Sequence, residues 1–435
     1  MTNRSIRRSR AACAASLCLG LLLCGSASVA AEAWPKERLD PLHTFMRDAT
    51  GADGYLGGVT LIVHDGRVVD VGTYGYEDLA RKRPMRRDAI FRIYSMTKTI
   101  TSVAVMMLVE EGKVSLDTPL AELLPGFEHP QVMTGGTAAA PALRPASRKL
   151  TLHDLLTHTS GYPAGLPGEH EAVALMERVD PHGANDLAGF AERMSRVPLA
   201  ADPGTRFGYD GASLELVARV VEVVSKRPFA DFLQERIFTP LRMRDTGFSV
   251  PADHRGRVVD ITRMADDGHL VIADGPSATH PGEPLNRYMS GAGGLYSTAD
   301  DYAHFARMLL DGGRYGGHRL LARKTVDGMM RNHLGMLDPP VTQFNTGEGF
   351  GIGGYVVIDP ARRGQLGSVG QYGWAGAAST TYTIDPHEHL VAILMLQHLP
   401  RDDGRKDLPR LARPFYDLVY HALHDPQVSR HDPVP

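Results

Sequence analysis

The chain has 435 residues, 47 of them Lys or Arg and 50 Asp or Glu, for a formal net charge of −3. That mild acidity argues against nucleic acid as a partner, and the length suffices for a large core without disulfide or metal staples. All three cysteines, Cys13, Cys18 and Cys24, lie near the N-terminus, so the remainder excludes thiol catalysis and thiolate metal sites.

Those first residues read as an export signal. Arg4, Arg7, Arg8 and Arg10 precede an apolar run over 11–24, and Ser28-Val29-Ala30 offers a small-residue cleavage site. The run is too short to span a membrane as a helix. Arg7-Arg8 lacks the surroundings of a twin-arginine signal, and the large Leu23 before Cys24 weakens a lipoprotein reading. Loss of residues 1–31 removes four arginines and takes the formal charge to −7. The expected destination is the periplasm or the extracellular space.

Residues 58–63 (GVTLIV) and 67–74 read as two strands joined by a His64-Asp65-Gly66 turn, a hairpin signal. A short strand over 89–93 leads to Ser95-Met96-Thr97-Lys98 and then to an apolar helical run over 99–111. Residues 116–120 begin a further turn and helix, and 128–149, rich in Gly, Ala and Pro, read as a surface loop. Helices follow over 150–157, 214–224 and 229–238, then 299–310, where Asp300 and Asp301 occupy a first turn that favours acids. Strands at 380–384 and 390–396 flank the turn Asp385-Pro386-His387-Glu388-His389, and a last amphipathic helix covers about 408–423. Strands at both ends and helices between them imply one antiparallel sheet built from the chain termini, flanked by helices, with a mostly helical lobe inserted: an α/β fold of the α+β type. The α/β lobe is expected at about 40–120 and 285–425, the helical lobe at about 121–284, and a tail at 426–435.

Ser95 and Lys98 form the one Ser-x-x-Lys of the chain. At the start of a helix this spacing puts an amine beside a hydroxyl, on one face and at the positive end of the dipole. A nucleophilic serine needs such a base and such a field. A helix cap followed by a surface lysine has the same spelling, so other segments must decide. There is no Gly-x-Ser-x-Gly elbow. Tyr209, in Pro203-Gly204-Thr205-Arg206-Phe207-Gly208-Tyr209, precedes a helix, and Trp374-Ala375-Gly376-Ala377 precedes the last hairpin. His387-Glu388-His389 has metal-binding residue types but sits in a turn, where solvated side chains are the ordinary reading.

Taken in order, these segments resemble the serine β-lactamase/penicillin-binding-protein superfamily on its class C side, and most nearly the family VIII carboxylesterases. Leu155-Leu156-Thr157-His158-Thr159-Ser160-Gly161, Arg236-Ile237-Phe238-Thr239-Pro240-Leu241 and Gly293-Gly294-Leu295-Tyr296-Ser297-Thr298 add to the likeness, which runs from about 58 to 397. The resemblance implies a β-lactamase-like fold within 32–425 and a Ser95, Lys98 and Tyr209 site. It implies that Lys98 or Tyr209 takes the serine proton and Tyr209 relays it. The implied oxyanion donors are the amides of Ser95 and Ala377, with Trp374, Ala375 and Gly376 in the substrate wall, and no metal or organic cofactor is required. Two departures stand out. The Tyr-x-Asn element reads Tyr209-Asp210-Gly211, and Trp374-Ala375-Gly376 stands where the family has Lys-Thr-Gly. Trading a cation for a flat apolar wall loses a charge-assisted hydrogen bond to a substrate carboxylate, about 1.5–3 kcal/mol. Neutral esters are therefore expected over penicillins. The alternatives are a class C-like β-lactamase or D-amino-acid-specific peptidase on the same scaffold, and a non-catalytic penicillin-recognising binding protein. Oligomeric state is not encoded in any of these motifs.

Overall fold

The two ends of the chain meet side by side in one antiparallel sheet. The structure, a computed structural model, describes residues 34–341 and 343–424. The expected export segment 1–31 and the tail 426–435 lie outside the described residues. The strands are β1 (Gly57–His64), β2 (Arg67–Gly75), β3 (Glu348–Phe350), β4 (Tyr355–Val357), β5 (Tyr372–Ala375), β6 (Thr381–Asp385) and β7 (Leu390–Leu396), in the order β3-β4-β5-β6-β7-β1-β2. The join is β1 against β7, in register from Gly58 opposite Leu396 to His64 opposite Leu390.

The period-two alternation of β1 and β7 explains why both read as unbroken apolar runs. Val59, Leu61 and Val63 of β1, with Val391, Ile393 and Met395 of β7, point into the larger core. Ile62, Leu390, Ala392 and Leu394 point to the other face. Helices α1 (Lys36–Ala49) and α5 (Ala412–His424) cover that second face. On the first lie α2 (Thr97–Glu110) and α4 (Ala299–Leu310), with α3 (Ala212–Ser225) packed against α2 in the same core. Burial on both sides calls for apolar residues at most positions of β1 and β7; the exception inside β1 is Thr60, buried with its hydroxyl beside Tyr74 OH. The β1–β2 turn is as the sequence implies: Asp65 and Gly66 both have positive φ, 49° and 70°, which the Asp-Gly pair tolerates and the strand twist favours.

Two expectations change. Residues 128–149 are not a loop but contain a ribbon, Gln131–Thr137 paired with Ala140–Pro145. Most of its side chains are exposed, so no core face imposes the apolar alternation that marks a strand. The strand over 89–93 contracts to Phe91–Arg92, which pairs with Tyr296–Ser297 outside the main sheet. That small pairing positions the site: Ile93 N–H donates to Leu295 O at 3.0 Å. The buried Arg92 guanidinium lies 3.7 Å from the Tyr296 ring centroid and donates to Gly294 O at 2.7 Å.

Candidate active site

Ser95 sits in a 3₁₀ turn, Tyr94–Met96, that runs into α2. Tyr94 adopts φ 41°, a left-handed conformation that costs a non-glycine residue roughly 1 kcal/mol. The surroundings hold the turn. Tyr302 OH donates to Met96 O at 3.1 Å, and Leu295 N–H donates to Thr97 Oγ1 at 3.2 Å. Gly376, at the end of β5, closes it from the other side, where a Cβ would stand 2.4 Å from Ile93 O. A glycine is needed there for the strand end to reach the serine turn.

Lys98 follows one helical turn on and is almost fully buried. Its Nζ donates to Ser95 Oγ at 3.0 Å and to Ala292 O at 2.8 Å. The carbonyl belongs to a loop fixed by Glu215 of α3, a residue the sequence reading passed over. Glu215 accepts from Ser290 Oγ at 2.5 Å and from Gly291 N–H at 2.7 Å. Burial pushes its carboxyl up to about 7 against those hydrogen bonds and the nearby Lys98 charge. The available signal was an acid inside the apolar run Leu214-Glu215-Leu216-Val217.

Tyr209 faces the same lysine, whose Nζ lies 5.1 Å from the phenol ring centroid. The Trp374 indole N–H donates to Tyr209 OH at 3.0 Å, with the two rings 5.0 Å apart. Behind Tyr209 the wholly buried His158 ring packs at 4.6 Å. Burial lowers its pKa, which favours a neutral wall. Asp210 binds Ser213 N–H at 2.6 Å and accepts from Ser213 Oγ at 2.9 Å. It anchors the entry to α3, and Gly211 occupies the position where the family carries Asn.

Ser95, Tyr209, Trp374, Ala375, Gly376 and Ala377 line one cavity of about 470 Å³. The structure thus brings all the sequence-derived site residues together, Lys98 reaching Ser95 Oγ from behind rather than lining the cavity. Gly376 N–H is engaged with Thr380 O at 2.8 Å, whereas the Ala377 amide has no partner among the described residues. An aromatic wall adds residues the sequence reading missed. Phe350 stands edge-on to Trp374 at 5.1 Å, and Phe207 meets Phe344 at 4.9 Å. Phe207 lies more than a hundred residues from the other three, so no local motif marks the wall. The turn His387-Glu388-His389 lies apart from this cavity. There His387 meets Glu388 at 3.1 Å and Asp385 caps the turn amides.

A buried lysine on a serine at a helix start, with a phenol beside them, is the constellation of acyl-transferring serine enzymes. The model of the beta-lactamase family matches residues 42–415, and the chain belongs to that family. It is an enzyme of the serine hydrolase superfamily. It is similar to lovastatin esterase of Penicillium rubens, 31% identical over 352 residues, with 74% of this chain and 83% of that one covered. It is also similar to esterase EstB of Burkholderia gladioli, 28% identical over 358 residues, covering 78% and 85%. Unliganded simvastatin synthase LovD from Aspergillus terreus has the same fold, with a TM-score of 0.73 at 23% identity, covering 90% of this chain and 99% of that one. Among the described residues no helix is long and apolar enough to cross a membrane.

Proposed function

We propose that the protein is an exported hydrolase that cleaves carboxylic esters through an acyl-enzyme on Ser95, like the family VIII carboxylesterases it resembles. Ser95 Oγ attacks the ester carbonyl carbon. Lys98, the hydrogen-bond partner of Oγ, takes the serine proton. Tyr209 delivers a proton to the departing alcohol oxygen as the C–O bond breaks. The amides of Ser95 and Ala377 receive the oxyanion. Water then attacks the acyl-enzyme, its proton passes back through Tyr209 and Lys98 to Oγ, and the carboxylic acid leaves.

The observation that carries the ester reading is the Trp374 indole on Tyr209. A neutral donor occupies the place where a cation would steady a substrate carboxylate beside the scissile bond. The aromatic rings of Tyr209, Phe344 and Trp374 in the lining suit an uncharged group there, and two relatives are named esterases. The test compares an aryl butyrate with a chromogenic cephalosporin by kcat/KM. The ester is expected to be favoured by at least 100-fold, and Ser95→Ala, with an unchanged circular dichroism spectrum, to abolish its turnover. Preference for the cephalosporin, or full esterase activity in the alanine variant, overturns the reading.

A further inference from the structure

The cavity beside Ser95 has a second wall whose chemistry the ester reading does not use. It is built from residues 363–365 and the start of α5, where Arg363, Gln365, Ala412 and Arg413 line the space. Arg363 is neutralised. Its Nε lies 2.6 Å from Glu348 Oε1, both side chains are about nine-tenths buried, and its guanidinium stacks 4.8 Å from the Tyr355 centroid. Arg413 is not neutralised. Its guanidinium donates to the Gly364 carbonyl, and among the described residues it has no carboxylate partner. The lining therefore carries one cation in excess, on an exposed side chain at the edge of a space lined mostly by aromatic, alanine and glycine residues.

The position of that cation is electrostatically unfavourable. Arg413 is the second residue of α5, at the positive end of the helix dipole, where cations are disfavoured and anions favoured. Gln365 adds a further opening. Its Oε1 is buried without a hydrogen-bond partner, so the amide can turn its NH₂ toward an acceptor in the cavity. A carboxylate here would meet the Arg413 fork, the amide of Gln365 and the helix end together, and would relieve the repulsion between the first and the last.

We propose that this wall is a carboxylate subsite, with Arg413 as its reader, and that the preferred substrates are esters whose cavity-bound portion ends in a free carboxylate, such as half-esters of dicarboxylic acids. The proposal rests on the ester reading for its chemistry, but the binding site stands on its own residues. It moves the anion from the scissile bond, where Trp374 replaces a cation, to the α5 wall.

Two measurements test it. The first is calorimetric titration, at low salt, with adipic acid mono-anilide and with its neutral methylamide; an anilide resists ester hydrolysis. The acid is expected to bind at least 10-fold more tightly. That ratio should collapse toward one in Arg413→Gln, persist in Arg413→Lys, and fall as salt is raised. The second is the kcat/KM ratio of 4-nitrophenyl adipate half-ester to its methyl-capped diester, expected to exceed one in the wild type and to drop 10-fold or more in Arg413→Gln. Thermal melts establish that each variant is folded. Equal binding of acid and methylamide, or an unchanged ratio in folded Arg413→Gln, overturns the subsite. Absence of any ester turnover with the binding preference intact overturns the ester reading and leaves the subsite standing.

Discussion

Replacing Trp374 with Phe isolates what the indole N–H contributes. The indole donates to Tyr209 OH at 3.0 Å and packs edge-on against Phe350 at 5.1 Å. Phenylalanine keeps a flat ring in the wall and removes the donor. While Tyr209 holds a neutral hydroxyl, that bond is worth about 0.5–1.5 kcal/mol. When it has surrendered its proton to the leaving alcohol and carries negative charge, the same N–H is worth about 1.5–3 kcal/mol. Only the difference, roughly 1–1.5 kcal/mol, appears in the barrier, which is about 5- to 13-fold in rate. The acylation rate, followed as a 4-nitrophenol burst by stopped flow, should fall by about that factor, with little change in the binding constant. Trp374→Ala should lose more, because the wall goes too. An acylation rate in Trp374→Phe within two-fold of wild type, with its binding weakened instead, would show that the indole is only a surface for the substrate.

Other expectations follow from the same geometry. Lys98→Ala and Tyr209→Phe should each reduce kcat/KM by several orders of magnitude, and the double variant should lose little more than the worse single one, because the groups act as a unit. Gly376→Ala drives a Cβ to 2.4 Å from Ile93 O and 2.3 Å from Thr380 Oγ1; displacing the strand end should cost roughly 100-fold in kcat, and wild-type kcat in that variant would break the argument for contact between β5 and the serine turn. Burial raises the Glu215 carboxyl from its ordinary value of about 4.5 to about 7, so its ionised form is disfavoured in the fold. Its contribution to stability is complete below about pH 4.5 and is lost as pH rises through about 7, on the order of 3 kcal/mol. Urea unfolding at pH 5 and pH 8 should show that loss in the wild type and a smaller one in Glu215→Gln; equal slopes would mean the carboxylate is well solvated or fully compensated.

Much of this site was legible because covalent spacing determines it. Three residues of helix place Lys98 over Ser95 wherever the helix packs, and an Asp-Gly pair between apolar strands has few conformations open to it. Tyr209 and Trp374 were recoverable because motifs hold them next to a helix start and a strand end. The rest depends on what meets across the fold. Helix α1 carries Pro41 in its interior and has no side-chain cap at Pro35, so local signals speak against it; its burial against α5 and β2 decides. Strands β3 and β4 span three residues each, too short for a period. The Phe207, Phe344, Phe350 and Trp374 wall joins parts of the chain more than a hundred residues apart.

Glu215 shows why the chemistry needs groups that no motif contains. A carboxylate in direct contact with Lys98 would bind the ammonium tightly and hold its donors away from the serine, and a buried pair of that kind repays its desolvation poorly. Here the acid stands behind the backbone of 290–292. It holds that loop through Ser290 Oγ and the Gly291 amide, and the loop presents Ala292 O to the lysine. Among the described residues Lys98 forms no ion pair, yet it lies within the field of Glu215. The lysine is steered by a carbonyl rather than held by a carboxylate, which leaves its contact with Ser95 Oγ free to exchange a proton. Shortening the acid with Glu215→Asp should draw the loop toward α3 and lengthen the Lys98–Ser95 contact. The expected signature is a loss in kcat with KM nearly unchanged, partly recovered by the aspartate relative to Glu215→Ala. A loss confined to KM would place Glu215 in substrate binding instead.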